Sequence, residues 1–195
     1  MKKIYISRDC LWPTLEEKND ACPIQLEEKD CKFNSEKELN EAIKYAWDFM
    51  QSEDERRKSV ENKAALFISS FSVAVTILLS MIKDLIFNMD KYPLIFITVI
   101  VVFIGLIIIY LCRAVLYAID ALKRKSYKIL AVPEILYNGS EKTHLFLKIT
   151  NIVYSNMDAI NEKVDAMTMA QEFFKCAVRT AMVLVFILII MVIVA

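Results

Sequence analysis

Three long stretches without a charged side chain interrupt an otherwise charged chain, and no other feature limits the fold as strongly. Ala64 to Ile82 spans 19 residues, Tyr92 to Cys112 spans 21, and Thr180 to Ala195 spans 16. As a helix the first covers about 28 Å, close to the thickness of a bilayer's hydrocarbon core. Counted from Ala177, with Arg179 reaching back to the interface, the third is also long enough to cross. A soluble bundle of this size needs no such windows. The 56% hydrophobic content, with only 2 glycines and 4 prolines, argues against a loop-rich β fold. The expected fold class is an all-α membrane protein. Its three transmembrane helices continue into a cytoplasmic helical stalk, preceded by a small irregular N-terminal segment.

Orientation follows from the basic residues, which collect on the cytoplasmic side. The connector between the first two spans holds Lys83, Asp84, Asp90 and Lys91, and the other 22 basic residues flank the spans. Both flanking regions are therefore expected inside, with the N-terminus cytoplasmic and the C-terminus external. The boundaries read as 1–34 (irregular), 35–63 (cytoplasmic helix), 64–82 (first span) and 83–91 (external loop). They continue as 92–112 (second span), 113–176 (cytoplasmic helical region) and 177–195 (third span). Charge balances at 24 basic and 24 acidic residues, so there is no global nucleic-acid signature.

Ser35 with Glu38 makes a capping box, and Leu39, Ile43, Trp47 and Met50 follow as one apolar stripe. No glycine or proline interrupts the run from Ser35 through the first span, which predicts one helix of about 50 residues. The second span is expected to continue inward to near Pro133, with a turn over Tyr137 to Lys142. From Ser140, Leu145, Ile149, Ile152, Ile160, Met167 and Phe174 predict a second amphipathic helix running into the third span. Tyr45, Trp47 and Phe49 read as stalk packing, and KIYIS near the N-terminus as a short strand.

Within the first span Ser69, Ser72, Thr76 and Ser80 fall within an arc of about 80°. The same face continues inward to Asn62 and Lys58. One explanation is helix packing, since small residues let backbones approach and hydroxyls bond across the contact. The other is a conduit. Three spans cannot enclose a channel alone, but several copies can place this face around a shared axis, where hydroxyls replace part of an ion's water shell. Asn62, Ser69, Ser72, Thr76 and Ser80 are the expected pore-lining residues.

Two basic clusters lie at the inner membrane face. Arg56, Arg57 and Lys58 precede the first span, and Lys123, Arg124 and Lys125 follow the second. They serve as topology signals, and they are also the candidate contacts for a phosphorylated ligand or anionic lipid head groups. Cys10, Cys22 and Cys31 match no zinc framework, the only histidine is His144, and no metal or cofactor is expected. No Walker motif, GxSxG, HExxH or GxGxxG occurs, so no catalytic residues are assigned and an enzyme is not expected.

The run ERRKSVENKAALFISSFSVAVTILL resembles the opening of small bacterial membrane effectors in nucleotide-signalling anti-phage defence. Asn62-Lys63-Ala64 stands where those families carry D/N-K-A before a small, apolar helix. NMDAINEKVDAMTMAQEFFKCAVRTAMVLV is similar to their cytoplasmic helix that re-enters the membrane. The resemblance spans about residues 50–195, leaves 1–34 unmatched, and points to Hailong-type or related SLATT and Pycsar-like effectors. It implies a homo-oligomer, expected as a tetramer in the bacterial inner membrane, forming a cytoplasmically gated ion channel that depolarises the membrane during phage infection. It also implies control by a nucleotide or oligonucleotide second messenger from a partner nucleotidyltransferase. A non-conducting anchor for a cytoplasmic partner and a ligand-independent, holin-like pore former are the alternatives.

Overall fold

The computed structural model describes residues 5–6, 12–13, 15–16, 26–27, 31–87, 93–130 and 142–194. Three helices dominate them: α1 (Glu36–Phe87), α2 (Leu94–Leu122) and α3 (Lys142–Val194). Each is long and apolar enough to cross a membrane. Near the N-terminus β1 (Tyr5–Ile6) pairs antiparallel with β2 (Leu15–Glu16), placing Tyr5 opposite Glu16.

The α1 helix starts where its cap is encoded. The Glu38 amide donates to Ser35 Oγ at 3.2 Å, and the Asn34 amide donates to a Glu38 carboxylate oxygen at 2.9 Å. Two otherwise orphaned donors are thereby satisfied. The helix then runs for 52 residues without a break, past the expected end of the first span.

The three helices pack along seams that step by four and three residues in alternation. In α1 the seam passes from Ile43, Trp47 and Met50 through Asp54, Arg57 and Glu61 to Ala64, Ile68 and Phe71, all buried or half-buried. In α2 the buried Ile100, Ile104, Ile107, Leu111, Ala114, Ala118 and Ala121 follow the same steps. In α3 Ile149, Val153, Ile160, Lys163, Met167, Ala170, Ala177 and Leu184 do likewise. A repeat of 3.5 residues keeps one stripe facing its neighbours over many turns, so the helices stay in contact along their length.

Two packed regions result. Residues Ile100 to Ala114 of α2 meet Met169, Phe173, Ala177 and Leu184 of α3, with Phe67, Phe71 and Leu78 of α1 laid against them. Next to it Val60 and Ala64, Ala118 and Ala121, and Met167 and Ala170 form an alanine-rich layer where all three helices converge. Ala64, Ala118, Ala121 and Ala170 are 0% exposed, so the small side chains let three backbones approach closely.

Helix α2 ends at Leu122 rather than continuing toward Pro133. Lys123 already has extended backbone angles, φ −53° and ψ 134°, and residues 124–130 carry no helix. Asn156 of α3 supplies the alternative. Its Oδ1 accepts from the Lys128 amide at 2.9 Å and its Nδ2 donates to the Lys128 carbonyl at 2.8 Å. One side-chain amide thus provides both partners that a strand or helix would otherwise supply. Asn151 holds Leu26 in the same way, with two bonds of 3.1 Å. Of the expected turn over Tyr137 to Lys142, residues 137–141 lie outside the described residues and Lys142 is the first residue of α3.

Candidate functional site

The hydroxyl-bearing face of α1 points away from α2 and α3. Asn62, Ser69, Ser72, Thr76 and Ser80 are all exposed. The face packed on α2 and α3 carries Val60, Ala64, Phe67, Phe71, Ala74 and Leu78. At 100° per residue the two stripes are centred roughly 170° apart. Packing among the three helices therefore does not explain the stripe. Ser69 Oγ donates to the Leu66 carbonyl at 2.8 Å and Thr76 Oγ1 to the Ser72 carbonyl at 2.9 Å. These bonds satisfy the hydroxyl protons inside the helix and leave the oxygen lone pairs facing outward.

The second feature is a polar layer in the helix seams. Asp54, Arg57 and Glu61 occupy three successive seam positions of α1, between apolar residues on either side. Facing them, Lys163 of α3 is 2% exposed, the single buried charged residue among those described. It donates to Glu61 at 2.5 Å, across 102 residues of chain. Burying a lone ammonium is costly, and this carboxylate supplies the opposite charge and the hydrogen-bond acceptor that offset it.

The extended segment after α2 closes the layer into a cleft of about 930 Å³ lined by Arg57, Glu61, Leu122, Arg124, Lys125, Ser126, Tyr127, Ile129 and Lys163. Arg57 and Arg124, from the two basic clusters, thus face one space although α1 and the connector are distant in sequence. The Tyr127 ring has the Arg57 guanidinium 4.7 Å from its centroid and the Lys163 ammonium at 6.0 Å. A second chamber of about 440 Å³, lined mainly by apolar residues including Trp47, Met50 and Ile152, shares Arg57, Tyr127 and Ile129 with the cleft.

Of the six basic residues singled out in the sequence, Arg57, Arg124 and Lys125 line this cleft. Arg56 pairs instead with Glu53 at 3.3 Å, Lys58 with Asp54 at 2.7 Å and Lys123 with Asp120 at 2.5 Å, and none of the three lines it. Arg57 also pairs with Asp54, at 2.5 Å, and Lys125 with Glu162 of α3. The Glu162 hydrogen bond and charge hold the Lys125 ammonium above its ordinary range. Arg124 has no ion-pair partner among the described residues.

Sequence reasoning missed Lys163, Tyr127 and Asn156. The signal for Lys163 was its place in the α3 seam, one four-three step from Ile160 and Met167. Tyr45 and Phe49, expected in the stalk packing, are instead 73% and 47% exposed, while Trp47 lines the apolar chamber. Trp12 packs edge-on to Phe173 at 5.4 Å, with the Arg113 guanidinium 5.3 Å from its ring. Among the described residues no group of histidine, cysteine or carboxylate side chains is arranged to hold a metal ion. Cys10 and Cys22 lie outside those residues. No protein family, curated protein or solved structure matches this chain.

Proposed function

We propose that several copies of this chain assemble in a bacterial inner membrane through the outer face of α1 and enclose an ion-conducting pore. One observation carries the reading: the polar stripe of the first span lies opposite the face that α1 spends on its own subunit. None of the most apolar window of α1 is fully buried, against 28% in α2 and 22% in α3. The helix with the polar face is thus also the one with the most surface left for neighbours. Outward lone pairs on Ser69 and Thr76 suit partial dehydration of a cation. Asn62 then stands at the cytoplasmic mouth. In this reading the protein is an anti-phage effector, a tetramer that depolarises the membrane under control of a nucleotide-type ligand made by a partner nucleotidyltransferase.

Planar-bilayer recording of the purified protein tests it directly. Conductance that falls several-fold in the Ser72→Leu, Thr76→Leu double variant, with the oligomer mass in detergent unchanged, supports the reading. A silent bilayer, with and without candidate nucleotides, sinks it. A second reading is favoured by the exposed Tyr45 and Phe49, one turn apart on the stalk. Such a pair suits a docked partner, making the protein a non-conducting membrane anchor. Under that reading the leucine variants leave ion flux at background, and Tyr45→Ala with Phe49→Ala abolishes partner capture.

A further inference from the structure

We infer that the cleft between α1, the segment after α2, and α3 is a binding site for a phosphate-bearing anion at the membrane's inner face. Arg57, Arg124, Lys125 and Lys163 line it together with Glu61. Asp54, Glu162 and Glu61 pair with Arg57, Lys125 and Lys163, and Arg124 is left without a carboxylate among the described residues. These cations come from three separate stretches of chain, so the concentration of charge is a product of the fold. At about 930 Å³ the space accepts a phosphate diester with room for its substituents.

Two buried donors point to the same ligand chemistry. Arg57 Nε and Tyr127 Oη are both removed from solvent without a hydrogen-bond partner. Buried donors are normally satisfied, and leaving one unmade is costly. Both belong to residues that line the cleft, and both seek an acceptor. A phosphate offers several acceptor oxygens, and guanidinium groups recognise it through paired N–H donors. Arg124, without a carboxylate of its own, is available for that role. The buried Lys163 adds an ammonium whose position is held by Glu61.

Occupancy would reach α1 through that pair. An anion drawing on Lys163 competes with Glu61, and Glu61 precedes Asn62 at the inner end of the hydroxyl face. The consequence for conduction rests on the pore reading; binding itself does not.

The test uses the full chain in nanodiscs and separates a free anion from a lipid head group. In phosphatidylcholine nanodiscs, calorimetric titration with inorganic pyrophosphate reads the free-anion arm. The shift in unfolding temperature between phosphatidylcholine and phosphatidylcholine–phosphatidylglycerol nanodiscs reads the lipid arm. Saturable binding in either arm should weaken at least about tenfold in the Arg124→Gln, Lys125→Gln double variant, as expected for lost charge-assisted bonds. It should persist in Lys175→Gln, whose ammonium pairs with Glu172 outside the cleft. Binding in one arm only identifies the source and supports the site. Binding in neither arm, binding that survives the double variant, or equal loss in Lys175→Gln overturns the inference. Because binding is read without conductance, a silent bilayer would sink the pore and leave this result standing.

Discussion

Lys163 of α3 reaches Glu61 of α1 over 2.5 Å from a side chain only 3% exposed, while its partner is 35% exposed. The pair is asymmetric. Removing the carboxylate strands a buried ammonium, whereas removing the ammonium leaves a carboxylate with access to water. Glu61→Gln is therefore expected to destabilise by about 3 kcal/mol, and Lys163→Met by clearly less. The double variant should recover most of the loss. Thermal unfolding in detergent, followed by far-ultraviolet circular dichroism, checks the order of the three.

Asn156 holds the segment after α2 by two hydrogen bonds to one residue. Asn156→Ala should cost about 2 kcal/mol, roughly 1 kcal/mol per bond, and free residues 126–130. Hydrogen exchange should then speed up at the Lys128 amide while the core of α3 stays protected. Asn156→Asp keeps the acceptor for that amide and loses the donor to the carbonyl, so its effect should be intermediate. Unchanged exchange in the alanine variant would show that the segment is held by something else.

Asp165 sits in the first half of α3 with its carboxyl raised above the ordinary 3.8. Burial is the main cause; Arg56 pulls the other way and Glu162 pushes it further up. The folded state thus holds this proton more tightly than the unfolded chain does. The ionised form costs stability at pH above the folded-state value, and the cost disappears as pH falls toward 3.8. Asp165→Asn should accordingly raise the unfolding temperature at neutral pH and lose that advantage in acid. Unfolding curves of both proteins from pH 7 to pH 3.5 decide it, and a gain that grows on acidification contradicts the account.

Ala118 has no exposed surface in the layer where the three helices meet. Enlarging it forces the backbones apart, and overpacking of this kind costs about 1–3 kcal/mol. Ala118→Leu should lower the unfolding temperature, whereas Leu116→Ala, at an exposed position of the same helix, should change it little. Equal effects at both positions would remove the argument for close approach.

Much of the architecture was legible because it is written locally. Ser35 and Glu38 mark the start of α1, and the helix begins at Glu36 as that cap requires. The long uninterrupted runs yield helices of 52 and 53 residues, since nothing within them favours a break. The end of α2 was not legible. Lys123 to Lys128 contains no glycine or proline, and the segment beyond the helix is held at Lys128 by the amide of Asn156, 28 residues further along the chain. The seam positions of Asp54, Arg57 and Glu61 were present in the heptad steps, yet a charge at such a position announces a polar layer without naming what faces it.

Patterning along the chain was enough to specify three apolar helices, the unbroken length of the first and third, and the one that carries hydroxyls, because hydrophobicity and capping act within a few residues. Packing settled which side of α1 turns inward, which of six basic residues share a cleft, and that Lys163 lies buried beside them. Those outcomes depend on side chains brought together from distant parts of the chain, 102 residues apart for Glu61 and Lys163. Spacing along one helix carries no record of what a second helix places opposite it.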